Sequence, residues 1–267
     1  MHWVFYNQQL CPLDSLPGGR PDSGLLYGRG LFETMRVSAG RVMWLDQHLH
    51  RLLTSARILG LTVDFSADRL VQVIEKTVAA NQVFDGAVRL TLTDSLFIQC
   101  RPLPYRAEDY RQGWRLGLVP WQRSAADPLL QHKTICCWNN LLAREEARRS
   151  GWQEALWLNT DGQVCEGTIS NIFVLQNGVL RTPPLQCGLL PGVARARLME
   201  VARREGLDVR EEIIYPEHLY RAQEVWLTNS LLLLMPVSYL ENRPVGGGRP
   251  GPLAAKYYVL MQQEGGY

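Results

Sequence analysis

Along this chain the spacing of apolar positions switches between a period of two and one near 3.6, and each switch marks an element. Residues 30–37, GLFETMRV, alternate as a strand with one covered face does, and Ala39-Gly40 supplies a hairpin turn behind them. Residues 3–7 read as an earlier strand, ended by the loop-forming LPGGRPDSG. At 45–60 the period lengthens. Leu45, Leu49, Leu52, Leu53, Ala56 and Leu59 fall on one helical face, which predicts a core-facing amphipathic helix. A second helix is expected over 66–82, then paired strands over 86–93 and 96–103. The polar, proline-bearing stretch 102–112 reads as a linker dividing an N-terminal α/β domain, 1–108, from a C-terminal domain, 109–267.

In the second half a strand is expected over 113–121 and a helix over 140–150, stopped by Gly151. EALWLNTDGQVCEGTISNIFVL then reads as strand, turn at Asp161-Gly162, and strand, with a further hairpin turn at Asn177-Gly178. Gly192 precedes a helix whose apolar face uses Val193, Leu198, Val201 and Ala202. Strands follow over 207–214 and 223–228 around a short PEHLYRA helix, and 251–263 reads as a terminal helix. The class is therefore mixed, α/β or α+β, in two domains.

Composition narrows the partners. The 267 residues are 46% apolar, enough for a large core, and the net charge of +2 is spread without a basic stripe, which argues against nucleic acid. Six cysteines show no CxxC pair and no metal-ligand spacing, so free thiols and no metal are expected. The start has no basic, long-apolar leader. The longest apolar run, LLLLMPV at 231–237, is too short to span a bilayer, so a cytoplasmic protein without membrane contact is expected.

Charge also singles out one residue. Only Lys76, Lys133 and Lys256 are lysines among 28 basic residues, and Lys133 sits in the nearly uncharged DPLLQHKTICCW. Burying an ammonium costs several kcal/mol unless it is paired or deprotonated, and a lysine with a lowered pKa is what Schiff-base chemistry requires. The plainer alternative is a lysine reaching out of a strand end into solvent.

Downstream of it come the helix, the hairpin and Glu166 of VCEGTISN. Together with GLFETMRV, the HLHRL pattern at 48–52, PGVAR at 191–195 and TNSL at 228–231, this order resembles the class IV, fold-type IV, pyridoxal-phosphate enzymes. The resemblance implies a small N-terminal α/β domain and a larger C-terminal domain with a barrel-like sheet. It implies that Lys133 bonds the pyridoxal 5'-phosphate aldehyde and that Glu166 pairs with the pyridine nitrogen. It also implies that Arg51, the backbone of Val193 and Ala194, and Ser230 hold the phosphate. Phe32 and Arg29 fall on the substrate side, where Arg29 either receives a substrate carboxylate or sits in solvent.

Several departures stand against the family pattern. Ser23 replaces a common arginine, Arg29 an aspartate and Cys136 an asparagine, and only Asp94-Ser95 remains of a longer loop. Trp138 stands in a region where branched-chain enzymes usually carry a tyrosine. YGRGLFETMRV and TNSL look most like aminodeoxychorismate lyase, which removes pyruvate from 4-amino-4-deoxychorismate to give 4-aminobenzoate. The alternatives are a class IV aminotransferase acting on D-amino or branched-chain amino acids, and a non-catalytic scaffold supported by the departures. A small-molecule amine substrate and a homodimer are implied in the first two cases.

Overall fold

The structure, a computed structural model, describes residues 2–6, 8–12 and 23–264. It forms two units. The first holds the described residues up to Pro104 together with the short segment His132–Cys136; the second holds Tyr105–Gln131 and Cys137–Glu264.

In the first unit the strands are β1 (Trp3–Tyr6), β2 (Gln9–Pro12), β3 (Leu31–Ser38), β4 (Arg41–Val42), β5 (Gly86–Leu92) and β6 (Leu96–Arg101). They form one antiparallel sheet in the order β2-β1-β6-β5-β3-β4. The helices are α1 (Ser23–Tyr27), α2 (Leu45–Ile58) and α3 (Ala67–Ala80). Met35, Val37, Leu90 and Ile98 of the sheet meet Leu49, Leu52, Leu70 and Ile74 of α2 and α3 in one core. Burying each such side chain contributes roughly 1.5–3 kcal/mol.

The apolar face of α2 packs as expected, with Leu49, Leu52 and Ala56 buried and Leu45, Leu53 and Leu59 partly buried against the same core, and His48 and Ser55 are buried beside them. One local expectation changes here. Of the loop expected at LPGGRPDSG, the part up to residue 22 lies outside the described residues, and Ser23-Gly24 open α1 instead. That helix start is held from 71 residues away. Asp94 accepts hydrogen bonds from the Ser23 amide and hydroxyl, both at 2.7 Å.

In the second unit the elements are α4 (Ala107–Gln112), β7 (Trp114–Leu118), α5 (Trp138–Arg149), β8 (Glu154–Leu158), β9 (Val164–Gly167), β10 (Asn171–Gln176) and β11 (Val179–Thr182). These are followed by α6 (Val193–Arg204), β12 (Asp208–Glu211), α7 (Pro216–Tyr220), β13 (Glu224–Thr228), β14 (Met235–Leu240), β15 (Arg243–Pro244) and α8 (Pro252–Gln263). The stretch that reads as a linker thus contains α4. Residues 231–237, the longest apolar run, are all buried, and only from Met235 do they form a strand. Among the described residues no helix is long and apolar enough to cross a membrane.

The nine-stranded sheet runs β12-β11-β10-β13-β14-β7-β8-β9, with β15 beside β14. Its curvature follows from chain length. β9 and β10 stand five strand spacings apart in that order, about 24 Å if the sheet were flat. Gly167 and Asn171, the ends they share, are only four Cα steps apart, about 15 Å at full stretch. The sheet must curl into a half-barrel to bring them together, and the short loop 168–170 closes the curl. Strand β8 is covered along nearly its whole length, which is why its sequence runs EALWL without a solvent face.

Candidate active site

In the first unit, β3 carries the first cluster. Its alternation turns Leu31, Glu33, Met35 and Val37 into the core and leaves Phe32, Thr34 and Arg36 on the other face. A carboxylate on a core face is costly unless paired. Glu33 is paired twice. Arg51 of α2 donates through Nε to Oε1 at 2.7 Å and through Nη2 to Oε2 at 2.6 Å, and His48 Nδ1 lies 2.6 Å from Oε2. Burial by itself would raise the Glu33 pKa, but the charges of Arg51 and His48 and their hydrogen bonds outweigh it and lower it from 4.5 to about 2. For His48 burial dominates and lowers its pKa, against the pull of Glu33; the charges of Arg51 and Lys133 add to the lowering.

The lysine segment is laced onto the start of the same strand. The Phe32 amide donates to the Lys133 carbonyl at 2.9 Å, the Ile135 amide donates to Gly30 at 3.0 Å, and Leu31 and Thr134 form an antiparallel bridge. His132 Nδ1 lies 2.9 Å from Ser55 Oγ on α2, and the Cys136 thiol donates to the Gly28 carbonyl at 3.0 Å. This fixes the Lys133 side chain against Phe32, with Nζ 4.5 Å from the ring centroid. The Arg89 guanidinium lies over the same ring at 3.7 Å. Arg89 was not singled out in the sequence, where it is one charge in an alternating strand.

Arg29 stands between Gly28 and Gly30, whose carbonyls accept from the lysine segment. It is exposed and donates to the Gly60 carbonyl at 2.6 Å, at the end of α2. The Ser23 hydrogen bonds, and then the charge of Arg29, lower the Asp94 pKa. The unusual residues at 23, 29 and 94 are therefore one physically coupled group.

In the second unit, Glu166 at the end of β9 anchors the other cluster. Its Oε1 accepts from Arg123 Nη2 at 2.8 Å, and its Oε2 accepts from the Leu190 amide at 3.0 Å and from Asn171 Nδ2 at 3.3 Å. The same Arg123 nitrogen donates to the Gly188 carbonyl at 2.5 Å, and the guanidinium lies 5.4 Å from the Trp157 ring centroid. The carboxylate thus accepts from one cation and two neutral donors. No local pattern marks Arg123 in PWQRSAAD; its partner is 43 residues away.

Asn171 carries the arrangement on to α6. Its Nδ2 also donates to the Leu190 carbonyl at 2.9 Å, and its Oδ1 lies 1.9 Å from where a Cβ on Gly192 would be. Only glycine fits there. Gly192 is the N-cap of α6 and no side chain caps it, so the first amides, of Val193 and Ala194, open an uncapped helix start. Across the sheet Asn171 pairs with Thr228, whose Oγ1 is buried and has no hydrogen-bond partner among the described residues. Ser230 follows in a turn shaped by Asn229, whose Oδ1 accepts from the amides of Leu231 and Leu232. Phe32, Arg51 and Lys133 belong to the first unit, and Glu166, Val193, Ala194 and Ser230 to the second.

Residues 30–240 match the model of the family described as Amino-transferase class IV. The chain is 31% identical over 249 residues to the "Putative branched-chain-amino-acid aminotransferase" of Methanocaldococcus jannaschii, which covers 88% of this chain and 86% of that protein. The structure of the Escherichia coli branched-chain amino acid aminotransferase superposes with a TM-score of 0.91 at 27% identity, covering 98% of this chain and 92% of that one. A "Putative 4-amino-4-deoxychorismate lyase" from Legionella pneumophila superposes at 0.86 with 29% identity, covering 94% and 96%. A model that spans most of the chain, and relatives that match it nearly end to end, place this protein in the class IV aminotransferase family.

Proposed function

We propose that the protein is a pyridoxal-phosphate-dependent lyase that removes pyruvate from 4-amino-4-deoxychorismate and leaves 4-aminobenzoate. The observation that carries the reading is Lys133, a rare lysine laced by backbone hydrogen bonds beside Phe32 and Arg89. The donor set fits the cofactor. In the second unit an uncapped helix start, the buried Thr228 hydroxyl, which has no partner among the described residues, and the Ser230 turn offer donors for a phosphate; Arg51, a further phosphate ligand in this reading, belongs to the first unit. Glu166, fixed by Arg123, offers an anion to a protonated ring nitrogen.

When bound, pyridoxal phosphate supplies an aldehyde that joins the substrate amine and a ring that takes up the electron pair released at the substrate carbon. The residues do the rest. The Lys133 amine takes the proton from the amine-bearing carbon as general base, Glu166 keeps its charge opposite the ring nitrogen, and Arg89 receives a substrate carboxylate. Replacing Arg89 by alanine is expected to raise KM by about tenfold or more while changing kcat less, as loss of a charged binding contact does. Steady-state kinetics check this, and an unchanged KM would remove Arg89 from the account.

A second reading, an aminotransferase for branched-chain or D-amino acids, is favoured by the identity to the Methanocaldococcus jannaschii relative. Product analysis separates the two. Pyruvate and 4-aminobenzoate formed without an added keto acid mark the lyase, and an absolute requirement for a keto acid marks the aminotransferase.

The active assembly in this reading is a homodimer in the cytoplasm. Six free thiols suit a reducing compartment. On α5, Trp138, Leu141 and Leu142 are 71%, 53% and 47% exposed at helical spacing, an apolar stripe that a second copy would cover. Sedimentation should give twice the chain mass, and Trp138→Glu with Leu142→Glu should shift it toward one chain. A wild-type protein that sediments as a monomer contradicts the dimer.

A further inference from the structure

Glu154, at the start of β8, is fully buried, and no cation pairs with it among the described residues. Five donors converge on its carboxylate instead. Oε1 accepts from the amides of Ala155 and Thr168, both at 3.0 Å, and from the Thr168 hydroxyl; Oε2 accepts from the Ile169 amide at 3.2 Å and the Ser170 hydroxyl at 3.0 Å. Four of the five belong to loop 168–170, the segment that closes the curled sheet between Glu166 and Asn171. Gly167 also turns tightly, its amide donating to the Ser170 carbonyl at 2.6 Å, and a Cβ there would come within 2.9 Å of Glu154 Oε2.

The loop is gripped from its other side as well. Asn229 Nδ2 donates to the Ile169 carbonyl at 3.1 Å, while Asn229 Oδ1 organises the turn that holds Ser230. Glu154 takes the loop's donors and Asn229 takes its acceptor. Glu166, Asn171 and the Thr228–Ser230 turn are thereby tied together through loop 168–170.

We propose that Glu154 is a positioning residue for cofactor binding. Through loop 168–170 its carboxylate sets where Glu166 and the Ser230 turn stand. The proposal rests on the cofactor reading above. Both oxygens serve at least two donors each, so an amide in this place must point its NH2 at donors. Glutamine, although nearly isosteric, cannot satisfy the site.

Hydrogen exchange on the protein without cofactor, read by mass spectrometry, tests the clamp directly. Glu154→Gln should speed exchange of the Thr168 and Ile169 amides by about tenfold or more and leave α3, in the other unit, unchanged. Pyridoxal phosphate titration tests the consequence. Glu154→Gln should weaken binding about tenfold, and adding it to Glu166→Gln should cost no more than about twofold further, because both changes act through one arrangement. Unchanged exchange in the loop, or losses that multiply in the double variant, would overturn the proposal. A wild-type chain that binds no pyridoxal phosphate overturns the cofactor reading instead, and the exchange comparison then still decides whether Glu154 holds the loop. Should Glu154→Gln fail to fold, Ser170→Ala removes one donor and is read in the same way, with a smaller shift expected.

Discussion

Replacing Lys133 by alanine lowers turnover by at least about a thousandfold while the protein stays folded. The rate effect follows from losing both a covalent anchor and a general base, the second of which alone contributes roughly 10²–10⁴-fold. The fold persists because the segment is held by main-chain bonds, Phe32 to Lys133 and Ile135 to Gly30, which a change of side chain leaves in place. Lys133→Arg is the sharper control. It keeps the positive charge beside Phe32 but cannot give up its proton, so it should be as inactive as alanine. Activity retained in either variant would show that the reaction does not pass through this amine.

Removing the Glu33 carboxylate gives the largest expected loss of stability. Glu33→Ala removes the acceptor that the part-buried Arg51 and the buried His48 share, a change that costs about 3–5 kcal/mol. The pH dependence has a definite sign. The Glu33 pKa falls from 4.5 to about 2 on folding, so its contribution is complete above 4.5 and is lost as pH falls toward 2, about 3 kcal/mol in all. His48 acts in the same direction at higher pH. Its folded pKa lies below the ordinary 6.5, so protons bind the unfolded chain first as pH drops below that value. Urea unfolding between pH 8 and 3 should show stability falling from about pH 6.5 and more steeply below 4.5. In Glu33→Ala the lower step should vanish. A flat profile in the wild-type chain would contradict the buried ionised pair.

Much of this was legible in the residue order, and what was missed has a common cause. β3 and α2 declared themselves by period, and Lys133 stood out as a rare lysine in a nearly uncharged run. Gly192 was legible as a helix start because glycine and proline punctuate it. The pairings were not legible. Glu33 meets Arg51 across 18 residues, Arg123 meets Glu166 across 43, and Asp94 holds Ser23 across 71; no local window contains both partners. The strand at β8 was legible, but the covering of both its faces was not. Alternation signals one covered face, and in a curled sheet covered on both sides the polar positions disappear. Glu154 could be read as a solvent-facing charge at a strand start, and only the closing of the curl turns its side chain into the anchor of loop 168–170.

The central claim concerns one nitrogen, and the chain has only three lysines on which to test it. Protein loaded with pyridoxal phosphate, reduced with borohydride, digested and sequenced by mass spectrometry should carry the phosphopyridoxyl mass on the peptide containing Lys133. Label at Lys76 or Lys256, or no label at all, would contradict the account.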